Sequence, residues 1–206
     1  NFVHRERQVT VRGLCEKEVS ANKVTWPIVT KEVGNDLSAI YNKIQTTNSA
    51  ISEFLLRNGI EESEISISAP SVYDNAAERY SSNNNPYRYM VTNVVVVTSP
   101  KVEQVRQLIA RQTELMRQGI AVVAGDYNYS TTYEYTDLNT IKPEMIAEAT
   151  AAAREAADKF AADSRSRLGG IKTASQGQFS ISDRDQYTPQ IKTVRVVTSI
   201  TYSLED

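Results

Sequence analysis

The chain has 206 residues, of which 40% are hydrophobic and 23% charged, with a net charge of -2. This composition fits one folded domain and excludes a disordered chain. Charge is balanced in both halves, which argues against a nucleic-acid partner.

The first elements are strands. "RQVTVRGLCE" alternates Val9, Val11 and Cys15, and "KVTWPIVTKEV" alternates Val24, Trp26 and Ile28. Pro27 argues that the second is an edge strand or carries a bulge. Residues 36–58 place Leu37, Ile40, Tyr41, Ile44, Ile51 and Leu55 on one helical stripe, with Asp36 as N-cap and Glu53/Arg57 as an i,i+4 pair. "EISISA" is a short strand. The polar segment 71–86, "SVYDNAAERYSSNNNP", is read as a mobile hairpin tip or arm.

"YRYMVTNVVVVTS" is a β-branched strand. Its Val94–Val97 run is the longest apolar stretch, far short of the ~20 residues that a membrane helix needs. A second helix is expected over 101–118. "IAVVAGDYNYSTTYEY" then reads as a strand from Ile120 to Tyr135. A third helix, alanine-rich, is expected over 144–168 after Pro143, with Ile146, Ala149, Ala153, Ala156 and Phe160 on its stripe. "GQFSIS" and "IKTVRVVTSITYSLE" complete the set.

Each long helix runs into a Gly-Ile step: Gly59-Ile60, Gly119-Ile120 and Gly170-Ile171. Glycine accepts the left-handed conformation that closes a last turn, and a β-branched residue after it favours extended chain. The sequence therefore predicts three helix-to-strand junctions and an order of roughly ββ-α-ββ-α-β-α-ββ. The implied fold class is α+β: three helices on a mixed, largely antiparallel sheet, in a single domain over 1–206.

These features, in order, resemble the SIMPL-domain family, which includes bacterial periplasmic immunogenic proteins. The resemblance rests on the Val11-Arg12-Gly13 step, "NGIEESEISI", the tyrosine-led strand, "QGIAVV" and the helix "EATAAAREAADKFAADSRSRLGGI". It runs from about Val9 to Leu204. Two departures stand out: Arg165, where relatives tend to carry glycine, and the Asn-rich stretch around Asn83–Asn85. The resemblance implies an exported envelope or periplasmic protein, homo-oligomeric, with a scaffold or oxidative-stress-defence role. It supplies no catalytic residues. A chain beginning at Asn1 rather than Met is consistent with a leader already removed.

The residues themselves offer little chemistry. His4 is the only histidine and Cys15 the only cysteine, too few for a zinc site or a His-dependent triad. Cys15 reads either as a small buried hydrophobe or as a redox thiol near Lys17. No catalytic, metal-binding or cofactor-binding residue is expected, and the protein is not expected to be an enzyme. The tyrosines are the conspicuous feature. Tyr127, Tyr129, Tyr133 and Tyr135 would share one face of an extended strand, and Tyr80 and Tyr87 flank the polar arm. Three readings stay open for that face: cover by a helix, a subunit interface, or stacking on sugar or peptide. The functional expectation is a homo-oligomeric envelope protein; the alternative is a binding module for cell-wall glycan or peptide fragments.

Overall fold

A computed structural model describes residues 6–77, 85–124 and 126–206. In chain order the elements are β1 (Gln8–Ser20), β2 (Lys23–Gly34), α1 (Leu37–Arg57), β3 (Ile65–Ile67), β4 (Ser71–Asp74) and β5 (Tyr89–Ser99). There follow α2 (Val102–Ala110), α3 (Thr113–Arg117), β6 (Thr132–Glu134), α4 (Leu138–Asp163), β7 (Arg167–Gln176), β8 (Ser180–Asp183) and β9 (Ile191–Glu205). The fold class is α+β as expected, but the strands sort into two antiparallel sheets rather than one. The chain divides into two compact units, Asn1–Ala21 with Tyr135–Asp206, and Asn22–Glu134.

In the first unit β9 is the central strand. Its residues 191–203 pair with the whole of β1 on one side, and β9 pairs with β7 and β8 on the other. Val9 and Cys15 of β1 and Val194, Val196, Ile200 and Tyr202 of β9 are buried beneath α4. The helix meets them with Met145, Ala149, Ala153, Ala157 and Ala161, a strict four-residue repeat. The expected stripe drifted off this line: Ala156 and Phe160 are exposed. The alanines bring helix backbone onto strand backbone. A Cβ on Gly13 would lie 1.8 Å from the Ala149 carbonyl oxygen and 2.5 Å from the Ala153 nitrogen, so only glycine fits.

The second unit orders its strands β3-β5-β2-β6, with β4 also on β5. One face of this sheet carries a core of large side chains: Trp26, Ile28, Val95 and Val97 from strands, and Ile51, Phe54, Leu55, Leu108 and Leu115 from helices. One polar cluster interrupts the apolar contact. Asn93 donates to Thr30 Oγ1 at 3.1 Å and to Asn48 Oδ1 at 2.7 Å, all three buried. Paired in this way, the amides escape the desolvation cost and hold α1 against β5 and β2.

Two of the three Gly-Ile steps end their helices as expected, but neither opens a strand directly. A 3-10 turn precedes β3, and after Ile120, among the described residues, an isolated bridge at Val122 is the only strand pairing before β6. Gly59 and Gly119 have φ of +90° and +84°. The amides of Ile60 and Ile120 reach back to the carbonyls of Leu55 and Leu115 at 3.0 and 3.1 Å. These are Schellman closures, and each isoleucine packs in the same core as the leucine it bonds. The third junction is displaced. α4 ends at Asp163, Arg165 takes the left-handed conformation with φ +54°, and Ser166 N–H bonds the Ala161 carbonyl at 2.8 Å. Gly169 and Gly170 lie inside β7 at a register shift. α4 also begins before Pro143, its sixth residue, and the expected second helix is divided into α2 and α3.

Candidate functional site

Pro27 is where the second unit becomes irregular. β2 is not an edge strand: β5 pairs with it throughout, and β6 pairs with Lys23, Val24 and Thr25 on the other side. Further along, Val29's carbonyl accepts from the Val123 amide at 2.8 Å, and Thr30 forms a bridge with Val122. Alternate residues of a strand direct their backbone polar groups to the same edge. Pro27, two residues before Val29, therefore turns a nitrogen without hydrogen toward that side, and pairing lapses there.

Residues 126–131 do not continue this edge pairing, and a cleft of about 450 Å³ opens beside it. Trp26 and Pro27 form its floor, and Ile109 and Gln112 reach it from the α2–α3 junction. Asp126, Tyr127, Tyr129, Ser130 and Thr131 form the opposite rim. The rim is a 3-10 turn over Tyr127–Tyr129 that Asp126 caps, its carboxylate accepting from the Asn128 amide at 3.0 Å. Lys31 lies 4.0 Å from the same carboxylate.

This turn corrects the expected tyrosine row. Tyr127, Tyr129, Tyr133 and Tyr135 do not share the face of one strand, because only Thr132–Glu134 is extended. An Asp cap followed by a tight turn overrides the alternating spacing. Tyr127 is 99% exposed and Tyr129 half-buried at the cleft; Tyr133 packs on the core and Tyr135 belongs to the other unit. Tyr87 is exposed at the β4–β5 hairpin, where its carbonyl accepts from Asn75 Nδ2 at 2.9 Å. Tyr80 and His4 lie outside the described residues. The segment 71–86 is not all loop: Ser71–Asp74 is β4, and the Asp74 carboxylate takes a paired contact from Arg88, both bonds 3.1 Å.

β4 borders a second concavity. Leu37, Ile40, Tyr41 and Ile44 on α1 face Pro70, Val72 and Val91 across a groove of about 270 Å³. Sequence periodicity identified the helix side of it, since all four belong to the predicted stripe. It gave no sign that the sheet beneath α1 stops at β4. Leu37, Tyr41 and Val72 are 43%, 58% and 55% exposed, and Ile67, on the same sheet face by register, is 52% exposed.

Cys15 is buried, and its Sγ donates to Glu148 Oε2 at 3.0 Å. Burial, and then the hydrogen bond and charge of Glu148, push the thiol up to about 11. It is a protonated core residue at neutral pH, consistent with the first of its two sequence readings. A separate ionic cluster locks α1 to α2. Lys101 Nζ donates to the Gly59 carbonyl and to Glu64 Oε1, both at 3.1 Å. Burial opposes ionisation of Glu64, but the nearby Ser99 hydroxyl and hydrogen bonds from the Glu61 amide and Lys101 outweigh it and hold the carboxyl below its ordinary value.

Helices laid on antiparallel sheets, in two compact units with a cleft and a groove in the second, make this an α+β protein of non-local β pairing. Its sequence matches the family described as SIMPL, protein of unknown function (DUF541), over residues 9–202. The chain belongs to the SIMPL family, as its ordered features suggested. No curated protein matches it.

Proposed function

We propose that the protein is a non-enzymatic component of the cell envelope that works as a homo-oligomer, in a scaffold or stress-defence role. The observation that carries this reading is the exposed apolar rim of the α1–β4 groove, formed by Leu37, Tyr41 and Val72, with Ile67 exposed on the same sheet face. From their exposures the three rim residues leave on the order of 300 Å² of largely apolar surface, at the lower edge of the size at which such patches are often functional. A standard interface uses about 800 Å² per partner, a little over half of it apolar. The rim supplies over half of that share, and pairing along β4 would add to it.

β4 adds direction to the contact. Asn75 N–H bonds back to Arg88 in the β5 arm of the hairpin, so by alternation Val72 and Asp74 direct their backbone groups away from β5. A second copy's β4, laid antiparallel on this edge, would pair those groups and cover Val72 and Tyr41. The Cys15 environment supports a non-catalytic reading, since a reactive thiol needs a depressed pKa and this one is raised. Extracytoplasmic placement rests on the resemblance to exported relatives, and fractionation of the native host tests it: a cytoplasmic protein contradicts it.

Sedimentation equilibrium of the wild type beside Val72→Lys tests the assembly. Val72 is more than half exposed, so the lysine leaves the core intact and its charge must be desolvated only in the oligomer. The expected result is an oligomer for the wild type, association at least tenfold weaker for the variant, and identical circular dichroism. A wild type that stays monomeric at high concentration contradicts the proposal.

A further inference from the structure

The Pro27 cleft is independent of the groove, and its lining selects a ligand class. Its volume, about 450 Å³, falls within the roughly 300–1,000 Å³ of small-molecule sites. Its floor and rim combine ring faces with hydrogen-bonding groups. Tyr127 and Tyr129 bring aromatic surface above the buried Trp26, and Gln112, Asp126, Ser130 and Thr131 bring an amide, a carboxylate and hydroxyls.

Three ligand classes fit poorly. An extended peptide binds a sheet edge through main-chain hydrogen bonds, and Pro27 offers no N–H at the centre of this one. A phosphate or other anion needs donors and unpaired positive charge; among the described residues no lysine or arginine lines the cleft, the Asp126 carboxylate does, and Lys31, 4.0 Å from that carboxylate, is already paired with it. A wholly apolar ligand would cover the Gln112 amide and the Ser130 and Thr131 hydroxyls and offer them no hydrogen bond. What remains is a neutral molecule with a flat C–H face and a rim of hydroxyl donors. We propose that this cleft binds carbohydrate, with a sugar ring stacked on Tyr127 or Tyr129 and its hydroxyls donating to Asp126 and to the Gln112 side-chain carbonyl.

Trp26 is the only tryptophan in the chain, so its emission is a single-site signal at the base of this cleft. The test is a fluorescence titration of the full chain with cellobiose and with N,N′-diacetylchitobiose, which separate a plain glucan from an acetamido sugar. The expected result is a saturable change in Trp26 emission with at least one of them, at millimolar dissociation constant. Tyr127→Ala and Gln112→Ala should each weaken it at least fivefold. Both side chains lie on the surface side of the cleft, and unchanged thermal unfolding of the variants checks that the fold is retained. The proposal is overturned if neither disaccharide gives saturation. It is equally overturned if saturation persists unchanged in both variants, or if only an extended hexapeptide saturates the signal.

Discussion

The two units solve one packing problem in opposite ways. In Asn22–Glu134, helices stand off the sheet on large side chains such as Phe54, Leu55, Leu108 and Leu115. In the other unit, α4 rests its backbone on β1 through Ala149, Ala153 and Gly13. Close backbone contact fills space without side-chain volume but has no slack. Interdigitated side chains fill it well in the middle and leave concavities where the sheet ends or its pairing lapses. The cleft and the groove both lie in the second kind of unit, one beside Pro27 and the other beyond β4.

That contrast can be broken by two substitutions of opposite kind. Phe54→Ala removes a fully buried ring from the second unit and is expected to cost about 3–5 kcal/mol. Gly13→Ala adds one methyl to the first, against backbone that cannot rotate away, and is expected to cost about 3 kcal/mol. Urea denaturation measures both. A Gly13→Ala variant as stable as wild type would show that α4 does not touch β1 as described.

A smaller effect of the opposite sign is expected at Arg165. A side chain held at φ +54° is strained where glycine is not, and Arg165→Gly should stabilise the first unit by about 0.5–1 kcal/mol. A lower melting temperature for that variant would place another interaction of the arginine above the strain.

The smallest effect concerns acid. Glu64 has a folded pKa below its ordinary value of 4.5. Its carboxylate therefore stabilises the second unit above that pH, and the contribution fades as pH falls through the lower folded value. Glu64→Gln should be less stable than wild type at neutral pH and should converge with it in acid. A gap that persists at low pH would make the loss one of packing rather than charge.

Where the sequence read true, a backbone constraint was written in a single residue. Gly59 and Gly119 mark helix ends because a left-handed residue is needed there, and Asp36 marks a start because its carboxylate accepts from the Ser38 amide at 3.0 Å. Where it misled, the deciding interaction was elsewhere. Nothing in Arg165 announces a left-handed residue, while Gly169-Gly170 imitates a helix stop. The tyrosine spacing imitates a strand until Asp126 caps a turn. The division into two sheets depends on pairings such as Gln8 with Ser203, which no local pattern encodes. Pro27 signalled an interruption correctly, but whether that meant an edge, a bulge or a gap in a central strand depended on β6 and Val122.

Hydrogen exchange at two protein concentrations tests the proposed assembly surface most directly. Amides of Val72 and Asp74, and those of the first turns of α1, are expected to gain protection as concentration rises, while those of β7 in the other unit do not. Protection that leaves Ser71–Asp74 unchanged, or that grows along β7 instead, would contradict it.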